Sequence, residues 1–92
     1  MEQNIQIKAT DEDLKGRYAN MVQLTHTKEE FVFNFINGFP APAMLVSRIM
    51  LNPAHAKRLA AVLDAQLKAY ETAFGKLEAS EAPKSDFGFK TN

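Results

Sequence analysis

The chain has 92 residues, with 11 Lys plus Arg, 11 Asp plus Glu and no cysteine. This length allows one small domain with a modest core, and a formal net charge of zero argues against a general attraction to nucleic acid or to an anionic membrane. The lack of cysteine excludes disulfides, thiolate chemistry and cysteine-based metal sites. Because the chain has neither the apolar run of a signal peptide nor the roughly 20 apolar residues of a membrane span, we expect a cytoplasmic protein without a membrane partner.

Residues 1–15 form an N-terminal segment ahead of the main domain. Ile5, Ile7 and Ala9 alternate with polar residues, which predicts a short strand at the edge of a sheet. Residues 10–16 are polar and acidic and end in glycine. They indicate a connection that could include one helical turn.

Three β-prone runs follow, at residues 17–25, 30–36 and 44–51. The polar break between the first two has the length of a hairpin connection, whereas the break between the last two contains two prolines and a glycine, which cannot continue a strand. The middle run carries three phenylalanines on one face and should be the central strand. The last run leads into the following helix without a linker.

A long helix is predicted from Pro53 to Phe74. Asn52 suits the N-cap and Pro53 the first helical position, while Gly75 can adopt the left-handed conformation that ends a helix. Apolar residues recur at steps of three and four, and charged residues fall largely on the other side. The apolar stripe comprises Ala56, Leu59, Val62, Leu63, Leu67, Tyr70 and Phe74.

The sequence therefore predicts an α+β fold. It consists of an antiparallel meander of three to four strands followed by one long C-terminal helix packed on the sheet, with the core domain at residues 16–75 and a flexible tail at 76–92. One helix covers only one face of a sheet, yet both faces of the predicted strands carry large apolar side chains. We expect a homodimer to cover the second face, although a different protein could supply the same cover.

The sequence contains no recognisable catalytic constellation. His26 and His55 lack a third ligand at metal-binding spacing, and Ser47 lacks the G-x-S-x-G surroundings of a nucleophile elbow. The tripeptide at residues 86–88 matches a kinase motif only by chance, because the chain is too short for that fold. We therefore predict a protein that is not an enzyme and that has no catalytic residues, cofactor or metal.

Several side chains are candidates for interactions instead. Polar groups within apolar strands must find partners. They either bind edge backbone or acidic neighbours such as Glu29 and Glu30, or they are available to bind a ligand or a protein. Basic residues near the helix start could meet a phosphate, although a solvated helix face explains them as well. Phe39, Phe87 and Phe89 lie on segments expected to be exposed and are possible docking points. The candidate interaction residues are Arg17, Asn20, Phe39, Arg48, His55, Lys57 and Arg58.

Residues 16–75 also resemble a family of small prokaryotic proteins catalogued as domain of unknown function 3467. The resemblance lies in four stretches in one order: residues 16–20 (GRYAN), 26–31 (HTKEEF), 45–49 (LVSRI) and 53–59 (PAHAKRL). The family brings no established activity. Some members lie in gene neighbourhoods of the large RNA polymerase subunits, so the resemblance implies a larger protein partner linked to transcription.

Two functions remain open. The favoured one is a non-enzymatic homodimeric protein-interaction or scaffold module, because the strands are apolar on both faces and Phe39 is expected to be exposed. The alternative is a transcription-linked or nucleic-acid-associated factor that binds RNA polymerase or nucleic acid through Arg48, Lys57 and Arg58. The zero net charge argues against nucleic acid as a direct ligand.

Overall fold

A computed structural model describes residues 4–78 and 88–91. The elements are α1 (Asp11–Lys15), β1 (Met21–His26), β2 (Phe31–Asn37), β3 (Met44–Leu51) and α2 (Pro53–Phe74). The strands form one antiparallel sheet in the order β1-β2-β3. This confirms the predicted α+β meander followed by one long helix, with the phenylalanine-rich run at the centre.

The described part of the N-terminal segment, residues 4–15, contains a helical turn but no strand. Residues 4–9 form no regular element, and the side chains of Ile5 and Ile7 are largely exposed, so the predicted edge strand is wrong. Three isolated apolar residues bury too little to hold a fourth strand in place. The turn is α1, which a capping box begins: the Asp13 backbone N–H donates to Thr10 Oγ1 at 3.0 Å, and the Thr10 N–H donates to the Asp13 carboxylate at 3.2 Å. The helix ends at Gly16, whose φ of 76° favours glycine.

Strand β1 begins at Met21, four residues later than predicted. Met21 pairs with Ile36, and β2 ends at the next residue, Asn37. Residues 17–19 therefore have no strand backbone opposite them and cannot form ladder hydrogen bonds. Asn20 closes the sheet at this end, because its N–H donates to the Ile36 carbonyl at 3.0 Å and its side-chain oxygen accepts from the Gly38 N–H at 2.9 Å.

Strand β3 has the predicted bounds and contains a β-bulge. Phe35 pairs with Ser47, whereas the next residue, Ile36, pairs with Leu45, so Val46 is an extra residue in the ladder. Its carbonyl accepts a hydrogen bond from Arg17 Nη1 at 3.0 Å. Arg17 thus satisfies a backbone group that the bulge removes from the sheet.

The bounds of α2 are also as predicted. Asn52 Oδ1 accepts from the His55 N–H at 2.9 Å, and Pro53 opens the helix. At the other end Gly75 has a φ of 100°, and its N–H donates to the Glu71 carbonyl at 2.9 Å. The local sequence signals at both ends therefore fix the helix.

The predicted packing of α2 on its own sheet is wrong. No residue of α2 is buried, and Leu63 at mid-helix is 55% exposed. The helix has few contacts with the sheet, and most of these involve β3, the strand from which it emerges. A physical reason lies in the connection, where Asn52 alone separates β3 from α2. One residue does not provide enough chain for the helix to turn back over the sheet.

The core of the single chain is consequently small. Among the described residues only Ile36 and Asn34 are buried, at 5% and 3% exposure. Both belong to β2 and alternate with its phenylalanines, so they lie on the same face of the sheet.

Candidate functional site

One face of the sheet, here called the aromatic face, is apolar throughout its centre. Strand alternation and the observed register place nine side chains on it. They are Val22, Leu24 and His26 from β1, Phe31, Phe33 and Phe35 from β2, and Ser47, Ile49 and Leu51 from β3. None of these side chains carries a formal charge when histidine is neutral.

The aromatic face is open in the single chain. Its edge residues Leu24 and Ile49 are about half exposed, and the phenylalanines of the central strand are only partly buried. Two aromatic pairs lie on this face: Phe33 stacks with Phe35 along β2 at a centroid distance of 6.2 Å, and His26 of β1 stacks with Phe31 of β2 at 5.1 Å. An apolar surface of this kind typically marks a contact with another protein.

The second open surface is the apolar stripe of α2. Its members from the second turn onward are 41 to 75% exposed. Near the C-terminus Tyr70 and Phe74 contact each other, with ring centroids 5.0 Å apart. The other side of the helix is polar as predicted, and there Lys68 pairs with Asp64 at 3.0 Å. The helix is therefore amphipathic but leaves its apolar side uncovered.

The opposite face of the sheet, here called the arginine face, has a polar row at its centre. Asn34 donates through Nδ2 to Gln23 Oε1 at 3.0 Å and accepts from Arg48 Nε at 2.6 Å. The register places these residues side by side on β1, β2 and β3. Asn34 is thus buried with its amide satisfied on both sides, as a buried polar group requires.

The chain itself partly covers the arginine face. The guanidinium of Arg48 lies over the ring of Phe89, 5.3 Å from its centroid, a geometry suited to a cation–π interaction. Residues 88–91 also help to enclose a cleft of about 720 Å³, together with Met21, Ile36 and Leu45. The described residues 88–91 therefore cover part of the arginine face.

The candidate interaction residues fall into two groups, those with a partner inside the chain and those exposed to solvent. Arg17, Asn20 and Arg48 each find a partner within the chain, and none of these partners is Glu29 or Glu30. The three side chains bind a bulge carbonyl, a loop N–H and a buried amide respectively. These hydrogen bonds stabilise the sheet and the loop beside it.

The remaining candidates are exposed. Phe39 lies in the loop between β2 and β3 and is 75% exposed, whereas His55, Lys57 and Arg58 lie on the first turns of α2 with their side chains in solvent. The predicted flexible tail falls mostly outside the described residues, as does Phe87. Sequence reasoning missed the role of Asn34, although an amide among large apolar residues in a central strand was a usable signal.

Two absences concern the described part of the chain, residues 4–78 and 88–91. Within it, no three His, Asp or Glu side chains lie close enough together to hold a metal ion. Its one long helix is not apolar enough to cross a bilayer. Every buried side-chain nitrogen or oxygen in this part has a hydrogen-bond partner.

Comparison with known proteins identifies a family but no activity. The family model described as "Protein of unknown function (DUF3467)" matches residues 1–79, which confirms the resemblance seen at residues 16–75 and extends it to the N-terminal segment. No curated protein and no solved structure matches the chain.

Proposed function

We propose that this chain, which belongs to the DUF3467 family, is a homodimeric protein-interaction module without catalytic activity. One observation carries the proposal: the aromatic face and the apolar stripe of α2 are both open in a single chain. Burying apolar surface contributes about 25 cal/mol per Å², so two such surfaces strongly favour association. A second copy supplies both surfaces at once.

The small core of the single chain supports the same proposal. With only Ile36 and Asn34 buried among the described residues, little hydrophobic burial offsets the loss of chain entropy, which is about 1 to 2 kcal/mol per residue for the backbone alone. Folding and association are then coupled, as in dimers that have no stable monomer. The chain is expected to be folded only when its apolar surfaces are covered.

The proposed role for the dimer is docking to a larger protein. The loop between β2 and β3 supports this role, because it presents Phe39 to solvent between two neighbouring strands of the sheet. An exposed aromatic residue is a frequent anchor in protein interfaces. The lack of net charge favours a protein partner over a nucleic acid.

Light scattering tests the dimer directly. We expect the wild-type chain to have twice its mass of 10.3 kDa, and Leu63→Asp to dissociate it because a charge would enter the apolar stripe. Ala65→Asp is the matched control: at 3.6 residues per turn, Ala65 lies on the opposite side of the helix, so the same charge should leave the dimer intact. A wild-type monomer at micromolar concentration would overturn the proposal.

A separate experiment tests the docking role. The wild-type dimer and a Phe39→Ala dimer are used to capture proteins from extracts of the native cell, and the captured proteins are identified by mass spectrometry. The expected result is one defined protein assembly that the wild type retains and Phe39→Ala loses. Retention of nucleic acid that falls steeply with salt would instead favour a nucleic-acid-binding role.

A further inference from the structure

We infer that the dimer forms by helix exchange, in which α2 of each copy packs across the aromatic face of the other copy's sheet. The inference rests on the proposed homodimer and specifies its interface. The occupant of the aromatic face is a second copy of this chain, and the segment that covers the face is residues 53–74. Four observations support this arrangement.

The first observation is the rigid connection between β3 and α2. Asn52 is its only residue, and it is extended, with φ −70° and ψ 161°. A residue that precedes proline is disfavoured in the helical region, and Pro53 has a fixed φ of its own. The cap hydrogen bonds from the His55 and Ala56 N–H groups to Asn52, at 2.9 and 3.0 Å, hold the junction further. The helix therefore keeps its direction relative to β3 and does not turn back onto its own sheet.

The second observation is the match between the two open surfaces. The aromatic face and the apolar stripe of α2 both lack charged side chains, so packing them together leaves no buried charge unpaired. The 22 residues of α2 span about 33 Å at 1.5 Å per residue. Strands of six to eight residues span only about 20 to 27 Å, so the helix is long enough to cross the whole face.

The third observation is the surface area of the single chain. It is 8947 Å², whereas a compact monomer of 10.3 kDa would expose about 5,400 Å². The thirteen residues outside the described ranges can account for at most about 2,100 Å² of the difference, at about 160 Å² per fully extended residue. About 1,400 Å² per copy remains, and it is shared between the two open surfaces and other exposed segments such as residues 4–18. The excess is large enough to include the roughly 800 Å² that each partner buries in a standard stable interface.

The fourth observation is that one chain carries two complementary surfaces. A two-fold axis pairs the stripe of each copy with the aromatic face of the other, so one symmetric contact covers all four surfaces. Exchange of an element between copies is a common route to dimers. A foreign partner would have to present both a helix and a sheet in the same geometry.

Cross-linking tests the exchange, and the cysteine-free sequence provides a clean background. Leu63→Cys places a thiol on the apolar stripe, and Leu24→Cys places one on the aromatic face. The two variants, distinguished by a mass tag on one of them, are refolded together and treated with a short bismaleimide. Helix exchange predicts a covalent dimer that joins Leu63→Cys of one copy to Leu24→Cys of the other.

Two further variants keep the result interpretable. Ala65→Cys lies on the polar side of α2 and should cross-link to Leu24→Cys at least tenfold less. Ile49→Cys, on the other edge strand of the aromatic face, replaces Leu24→Cys if that variant fails to fold. Cross-links only between identical variants would overturn helix exchange.

Light scattering and cross-linking together distinguish a failure of the homodimer from a failure of helix exchange. A light-scattering mass of 10.3 kDa for the unmodified wild type would overturn the homodimer itself. A dimeric mass together with no cross-link between the helix and sheet positions would leave the homodimer standing and overturn only the exchange of helices.

Discussion

Truncating Leu63 measures how much of the fold depends on the second copy. Leu63 is 55% exposed in the single chain, so Leu63→Ala would remove less than half of a fully buried leucine's contribution there, or about 1 kcal/mol at 0.8 kcal/mol per methylene. In the proposed dimer the side chain is buried against the partner's sheet. The cost should then be about 2 to 5 kcal/mol per copy, the range for truncating a core leucine.

Urea unfolding followed by circular dichroism distinguishes these two magnitudes. It is measured at two protein concentrations about a hundredfold apart, because unfolding of a dimer to two free chains shifts by about 2.7 kcal/mol per dimer over that interval by mass action. We expect the wild type to show this shift and Leu63→Ala to lose at least 2 kcal/mol per copy, in line with truncation of a buried leucine.

Lys68→Ala is the matched control for Leu63→Ala. Lys68 lies on the polar side of α2 and pairs with Asp64 at 3.0 Å, with both side chains largely in solvent. Losing such a pair should cost only about 0.2 to 0.5 kcal/mol. The reasoning would be refuted if unfolding did not depend on concentration and Leu63→Ala were as stable as Lys68→Ala.

Three further predictions concern the sheet and the junction. Asn34→Ala should lower the free energy of unfolding by about 1 to 3 kcal/mol, because Gln23 and Arg48 would each lose a hydrogen-bond partner beside a buried position. Chemical denaturation should show this loss. Unchanged stability would contradict a stabilising role for the polar row. Asn52→Ala should lower the free energy of unfolding by about 0.5 to 2 kcal/mol, because the helix loses its cap. Thermal unfolding should show this loss, whereas Asn52→Asp, which can still cap the helix, should be close to the wild type. Phe89→Ala should change the NMR shift of the Arg48 Nε–H, since the ring lies beside that guanidinium; an unchanged shift would show that the contact is not formed in solution.

Local signals in the sequence determined the central strand β2, the strand β3 and the long helix α2. The bounds of α2 follow from Asn52, Pro53 and Gly75, because each prefers a backbone conformation that a helix end needs. The central strand follows from the alternation of large apolar residues at 31–36, and the loop after it from two prolines. These preferences act over a few residues and do not depend on the rest of the fold.

The candidate residues were only partly predictable. The sequence identified Arg17, Asn20 and Arg48 as polar groups that need partners, but it could not name those partners. Arg17 binds the carbonyl of Val46 because a bulge occurs there, and a bulge depends on how two strands align rather than on either strand alone. Arg48 meets Asn34 because the register places them side by side.

The largest difference between expectation and structure concerns where α2 packs. The sequence determined that the helix is amphipathic and that it follows β3 after one residue, and its apolar stripe requires a cover. Only the tertiary structure decided that this cover is not the chain's own sheet, because the direction of the helix depends on the three-dimensional geometry of the junction at Asn52. A periodic pattern specifies which side of a helix is apolar, but it carries no information on which surface, or which copy of the chain, lies against that side.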